Sequence, residues 1–265
     1  VGVRHKAVLS ASAFCGAVHM HGGKDSRLLA DLDCNGWPQA GRDEALRALR
    51  RVQAVHLCGD QHLAVTVKHG IEAFGDGPYS LTSPALVNTI YGRWWHPKDE
   101  QAGPNAVAGS PLPWTGDFLD GLGNRMSVLA YANPGDTQDE RQRADGYGVA
   151  RFDLKLDKVT FECWPRFSDS RKGDSQQFPG WPQTFALADN DGRKPVGFLP
   201  SVDLPAGPAV VQVIAEQTGE TVYVRRLTGG KAFAPPVFAR GKYTVKTGID
   251  RPDQLTLTAQ EPVAR

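Results

Sequence analysis

Between Gly41 and His62 the apolar residues change period once, and that change constrains the fold more than any other feature. From Arg42 to Arg51 strong helix formers surround apolar positions 45, 46, 48 and 49, which predicts the clearest helix of the chain, Gly41 to Arg51. Val52 to Cys58 follows at once, short, β-branched and mostly apolar. It stops at Gly59-Asp60, so it reads as a buried strand with a loop at its carboxyl end. Helix, core strand and polar loop make an αβ unit, and open α/β sheets bind ligands just beyond the carboxyl ends of such strands. Asp60 and His62 occupy that place.

The rest of the chain reads as turns and strands. Gly (29) and Pro (19) make about 18% of the residues against a usual level of about 12%, so long helices should be few. Val1 to Phe14 reads as a strand or buried segment, His21 to Ser26 as a loop and Lys98 to Pro113 as a long surface loop. Met126 to Asn133 reads as a strand, and Gly146 to Asp153 with Lys158 to Trp164 as a hairpin. After a Pro- and Gly-rich connector at 167–208, strand-like runs at Val210–Glu216, Thr221–Leu227, Phe233–Phe238, Lys242–Thr247 and Gln254–Thr258 have the spacing of a small β-sandwich over 209–265.

Charge and cysteines exclude several classes. Lys plus Arg (30) against Asp plus Glu (29) leaves +1, too little for a global field that holds nucleic acid or an anionic membrane. No run reaches the roughly 18 to 20 apolar residues of a membrane span, and no signal-peptide order is present. A first residue of Val1 fits a chain cut from something longer, in which case a missing signal says nothing of the parent's address. Cys15, Cys34, Cys58 and Cys163 form no C-x-x-C pair, so a zinc ribbon is not expected and disulfides cannot be assigned.

In Gly59-Asp60-Gln61-His62 two side chains two residues apart point the same way if the segment is extended. A carboxylate oxygen and an imidazole nitrogen can then converge on hard or borderline cations. The preceding Gly59 would let the chain turn sharply off the strand. Alone, the triplet equally describes a strand-end turn. Its surroundings add the loop Asp31-Leu32-Asp33-Cys34-Asn35-Gly36-Trp37-Pro38, the Arg-rich helix, Arg93-Trp94-Trp95-His96-Pro97, the run Gly116 to Asn124, and Phe161-Glu162-Cys163-Trp164-Pro165. Together, over residues 6 to 166, these phrases resemble the late part of the PhoD-like alkaline phosphatase and phosphodiesterase family of calcineurin-like metallophosphoesterases.

The resemblance implies an α/β fold: the later half of a calcineurin-like αβ-βα sandwich over residues 1–166, followed by the small β-sandwich. It implies a dinuclear metal centre, iron with calcium or of zinc and manganese type, with Asp60 and His62 as late ligands. It implies hydrolysis of phosphate mono- or diesters by metal-activated hydroxide, and an extracytoplasmic address. Asn35 belongs to the D-x-D/N-G-W segment, which in the family lies near the metals, and Arg42, just after it, is implied as a charge-assisted donor to phosphate. That segment also reads as an Asx-rich turn capping the helix.

The family's early motifs are absent from this sequence, and two donors cannot hold two cations, so the chain alone is expected to be inactive. The alternative is a non-catalytic binding or adhesion module on a degenerate scaffold. Asp117 and Asp120 spell G-D-x-x-D out of order and read as a decoy. His19 and His21 read as solvated or structural, and His56 as buried and hydrogen-bonded. Arg93, Trp94 and Trp95 read as packing anchors for a long loop rather than as the lining of a substrate entrance, and Arg47, Arg50 and Arg51 as the solvated face of the helix. His69, His96 and the oligomeric state are left open.

Overall fold

Residues 3–21, 26–28, 30–86 and 93–263 are described by a computed structural model, in which a single α-helix accompanies several β-sheets, a mixed α/β organisation. The expected loop at 21–26 lies largely outside the described residues. The main sheet holds β1 (Ala7–Leu9), β2 (Val55–Cys58), β3 (Ala64–His69), β4 (Tyr79–Thr82), β5 (Gly116–Leu119) and β6 (Arg125–Ala132). Their order is β1-β2-β4-β3-β6-β5, with β1, β2 and β4 parallel and the other pairs antiparallel.

Parallel neighbours need a crossover, and α1 (Gln39–Arg51) lies in the connection from β1 to β2. It packs Leu46 and Leu49 against Phe14, Val52, Ala54 and Ile71. The strand starts at Val55, three residues later than its apolar run, because Val52 and Gln53 end the helix. Gln53, at φ 54°, takes the left-handed position usually given to glycine, and Ala54 N–H donates to Leu49 O at 3.0 Å. The Asx-rich segment does not cap the helix, whose N-cap is Pro38 without a side-chain bond.

Strand alternation splits the sheet into two covered faces. Val65 and Val67 of β3 join Met126, Val128, Cys15, Val18 and Trp95 on one face, while Ala64 joins Ala130, Ala132, Cys163 and Trp181 on the other. Met126 and Val128 would share a face with Ala130 if β6 were regular. The register slips by one residue between Thr66↔Ala130 and Val67↔Val128, and this bulge moves the two alanines to the opposite side.

The second face is covered by β7 (Gly146–Asp153), β8 (Lys158–Pro165) and β9 (Gln183–Ala186), an antiparallel sheet in the order β9-β8-β7. Val159, Phe161, Phe185 and Leu187 meet Val55 and Leu81 there. The stretch expected as a connector is therefore partly core. Trp181 Nε1 donates to Thr66 Oγ1 at 2.9 Å, and Asn190 binds Ala54 O through Nδ2 (2.6 Å) and accepts from Tyr79 N (2.7 Å), so the first unit runs to about residue 191.

Beyond it, β10 (Pro208–Ala215), β11 (Thr221–Thr228), β12 (Tyr243–Gly248) and β13 (Leu255–Gln260) form an antiparallel sheet ordered β11-β10-β12-β13. Two short ribbons, Gly197–Phe198 with Pro236–Val237 and Val202–Asp203 with Ala232–Phe233, accompany it. Val211, Val213, Tyr223, Val237 and Val245 make its own core. All four cysteines are buried free thiols, and no described helix is long and apolar enough to cross a membrane.

Candidate functional site

The parallel strands β1, β2 and β4 end side by side, and the turns that follow extend their ladder. Ser10 N donates to Leu57 O (3.1 Å), Gly59 N to Ala11 O (3.0 Å) and Ser83 N to Cys58 O (2.8 Å). Carboxyl ends of parallel strands are thus tied together at one edge, where Asp60 and His62 were expected.

The sharp turn off β2 is not made by Gly59, where an added Cβ would meet open space. Asp60 (φ 67°) and His62 (φ 53°) take left-handed backbone instead, on either side of Gln61. Each such residue costs about 1–2 kcal/mol, although Asp and His tolerate the region better than most. Buried Gln61 holds the turn down: its N–H donates to Gly59 O at 2.7 Å, and its Nε2 donates to Asp33 O. The segment is not extended, so the common direction of Asp60 and His62 expected from strand alternation does not follow from their spacing. Asp60 is exposed and His62 half-buried.

Asp60 and Asn35 meet through Ser12. Ser12 Oγ donates to Asp60 Oδ2 (2.9 Å), and Ser12 O accepts from Asn35 Nδ2 (3.2 Å) and from Ser10 Oγ (2.6 Å). Ser10 Oγ also lies 2.7 Å from His56 Nε2, and His56 Nδ1 lies 2.9 Å from Ser80 Oγ. Ser10 has spent its one proton on Ser12 O, so it accepts from His56; the imidazole is protonated on Nε2 and its Nδ1 accepts from Ser80. Burial pushes the His56 pKa down to about 4, which keeps the ring neutral, and Phe14 covers it at 4.4 Å between ring centroids. The expectation of a buried, hydrogen-bonded His56 matches this geometry. Sequence reasoning misses Ser10 and Ser12, whose only signal is a Ser-Ala-Ser triplet directly after a strand, and the role of Gln61, whose only signal is its place between Asp60 and His62.

Arg42 does not face this edge. Its Nε donates to Phe14 O (2.9 Å), Nη1 to Gly70 O and Asp43 Oδ1 (2.8 Å each), and Nη2 to Arg125 O (3.3 Å). Every guanidinium nitrogen is engaged, so the expected phosphate donor instead ties the Phe14 and Gly70 segments to the start of β6. Trp95 is likewise a core residue, its Nε1 donating to Trp114 O at 2.8 Å, whereas Arg93 reaches Asp33 at 3.8 Å beside the Asp31–Trp37 segment.

Both carboxylates of the out-of-order G-D-x-x-D phrase are consumed inside. Asp120 accepts from Leu122, Asn124 and Gly16 backbone N–H groups and from Asn124 Nδ2, and Asp117 accepts from Asn105 and Ser127. His19 Nδ1 donates to His96 O (3.1 Å), His96 lies beside Arg27, and the side chain of His21 lies outside the described residues. Among the described residues no three His, Cys, Asp or Glu side chains gather around a common point. Among the described residues no hydrogen bond reaches Asp60 Oδ1, so the donor types suit a share of a cation shell, but the set is too small to be a whole one. No family model, curated protein or solved structure matches the chain.

Proposed function

We propose that the chain carries the late part of a metal-dependent phosphoesterase centre, in which Asp60 and His62 supply an oxygen and a nitrogen donor and the remaining donors come from outside the described residues. The main support is the turn itself. Two non-glycine residues in left-handed backbone, pinned by a buried glutamine, stand at the carboxyl edge of parallel strands, where open α/β sheets bind ligands. The resemblance of the surrounding phrases to PhoD-like enzymes says what the arrangement serves. In this reading the mixed sheet with α1 is the later half of an αβ-βα sandwich, and the C-terminal sheet is a small β-sandwich.

Cations bound there supply polarisation of a phosphate mono- or diester and activation of water, iron with calcium or zinc and manganese being the types the family suggests. Ser12 orients the Asp60 carboxylate, and His56 holds Ser12 through Ser10. Asn35 spends one amide hydrogen on Ser12 O and retains another for a phosphoryl oxygen. Two protein donors leave the chain inactive alone, and an extracytoplasmic address follows from the family likeness. Turnover of a chromogenic phosphodiester by the full-length gene product tests the reading: Asp60→Asn and His62→Ala should each lower it strongly, and wild-type turnover in both rejects it.

A further inference from the structure

A second concave site lies away from the β1–β2–β4 edge and shares no residue with it. The last turn of α1, the loop Glu72–Asp76, residues 192–194 and the C-terminal sheet enclose a cleft of about 790 Å³, within the range of small-molecule sites. Seven cationic side chains line it against three acidic ones, an excess of four in a chain whose whole formal charge is +1. The cluster expected as a solvated helix face is part of it: Arg50 is buried, and Arg47 and Arg51 border the same space.

The acids present are already divided among several cations. Glu72 accepts from Arg47 and Arg50 at 3.0 Å each, Asp76 holds three backbone N–H groups besides Arg50, and Glu220 pairs with Arg51 across to the C-terminal sheet. Arg193 is tied to Asp191 at 2.7 Å and lies 3.8 Å over the Phe238 ring, which fixes its direction. Lys194 and Arg240 have no acidic partner among the described residues, and Lys242 has only Glu261 at 3.9 Å. Cations arriving from three chain segments on one cavity repel each other until an anion occupies it. Phe74 and Val222 add apolar wall beside them.

We infer that this cleft binds a diphosphate group, free or carried on a small organic body. Even after Asp191 and Glu261 meet Arg193 and Lys242 the cleft keeps more cations than acids, which suits an anionic group, and guanidinium forks suit the paired oxygens of a diphosphate. Calorimetric titration of the full chain with pyrophosphate, ADP and adenosine tests this. Saturable binding of pyrophosphate and ADP without adenosine is expected, and ADP binding tighter than pyrophosphate would mark an organic carrier, equal affinity the free anion. The double variant Arg240→Ala/Lys194→Ala, at two exposed and unpaired positions, should weaken both by about tenfold or more without a change in Tm. Asp60→Asn should bind as wild type, which separates this site from the proposed phosphoesterase edge. Absence of saturable binding at millimolar anion, wild-type affinity in the double variant, or loss of binding in Asp60→Asn would overturn the inference.

Discussion

Ser12 Oγ donates to Asp60 Oδ2 at 2.9 Å, and this bond joins the turn after β1 to the turn after β2. Because Ser12 is held in turn by Asn35 and, through Ser10, by the buried His56, the direction of an exposed carboxylate is set by a ring in the core. Groups that orient a cation ligand typically carry about 10–100-fold in metal affinity or activity. Ser12→Ala should therefore lower phosphodiester turnover of the full-length gene product by about tenfold while leaving Tm unchanged. Steady-state kinetics with a melting curve checks this, and an equal loss of stability would assign Ser12 to folding instead.

Left-handed backbone at Asp60 implies a conflict between stability and function. Glycine adopts φ 67° without strain, so Asp60→Gly should raise stability by about 0.5–1 kcal/mol, readable in urea melts, while abolishing the proposed activity. A destabilised Asp60→Gly protein would show that the carboxylate serves the fold.

Arg42 makes the opposite case. Its removal leaves the carbonyls of Phe14 and Gly70 without their donor, while Arg125 O keeps Gly70 N–H at 3.0 Å, and each unmet group costs about 1–3 kcal/mol. Arg42→Ala should lower stability by about 3 kcal/mol or more, measured by urea denaturation. A stable variant with only a raised KM would restore the arginine to the substrate.

His69 and His56 give the protein a pH response. His69 is fully buried with neither ring nitrogen hydrogen-bonded, and burial first, with Arg42 and His56 adding, pushes its pKa well below the usual 6.5. Burial takes His56 to about 4. Both rings are neutral in the folded chain and protonate more readily once it unfolds, so the unfolded state binds more protons between about pH 4 and 6.5. Stability is full above about pH 6.5 and declines as pH falls through that window. His69→Leu removes two unmet polar atoms and should raise stability at pH 7 by about 1 kcal/mol and flatten the decline, as thermal melts from pH 5 to 7 would show.

The parts of this architecture that depend on period were legible in the sequence. α1, β2, β6, the β7–β8 hairpin and four of the C-terminal strands follow from apolar spacing and turn residues, because each buries one face of a regular element. What escaped depends on long-range contacts. Trp181 and Asn190 look like connector residues until Thr66 and Ala54 are seen beneath them. Arg42 has the sequence environment of a surface donor, and only the approach of Gly70 and Arg125 turns it inward. At the candidate edge the Asp60-Gln61-His62 triplet was visible, whereas its support by Ser12 and Ser10 came from a different strand end. No local pattern encodes that meeting.

The central claim is most directly tested by phosphodiesterase turnover of the full-length gene product with and without Asp60→Asn and His62→Ala, each checked for an unchanged melting curve. Loss of more than about a hundredfold in both, with metal content reduced in parallel, is the result this account requires. Turnover and metal content equal to wild type in both variants would contradict it.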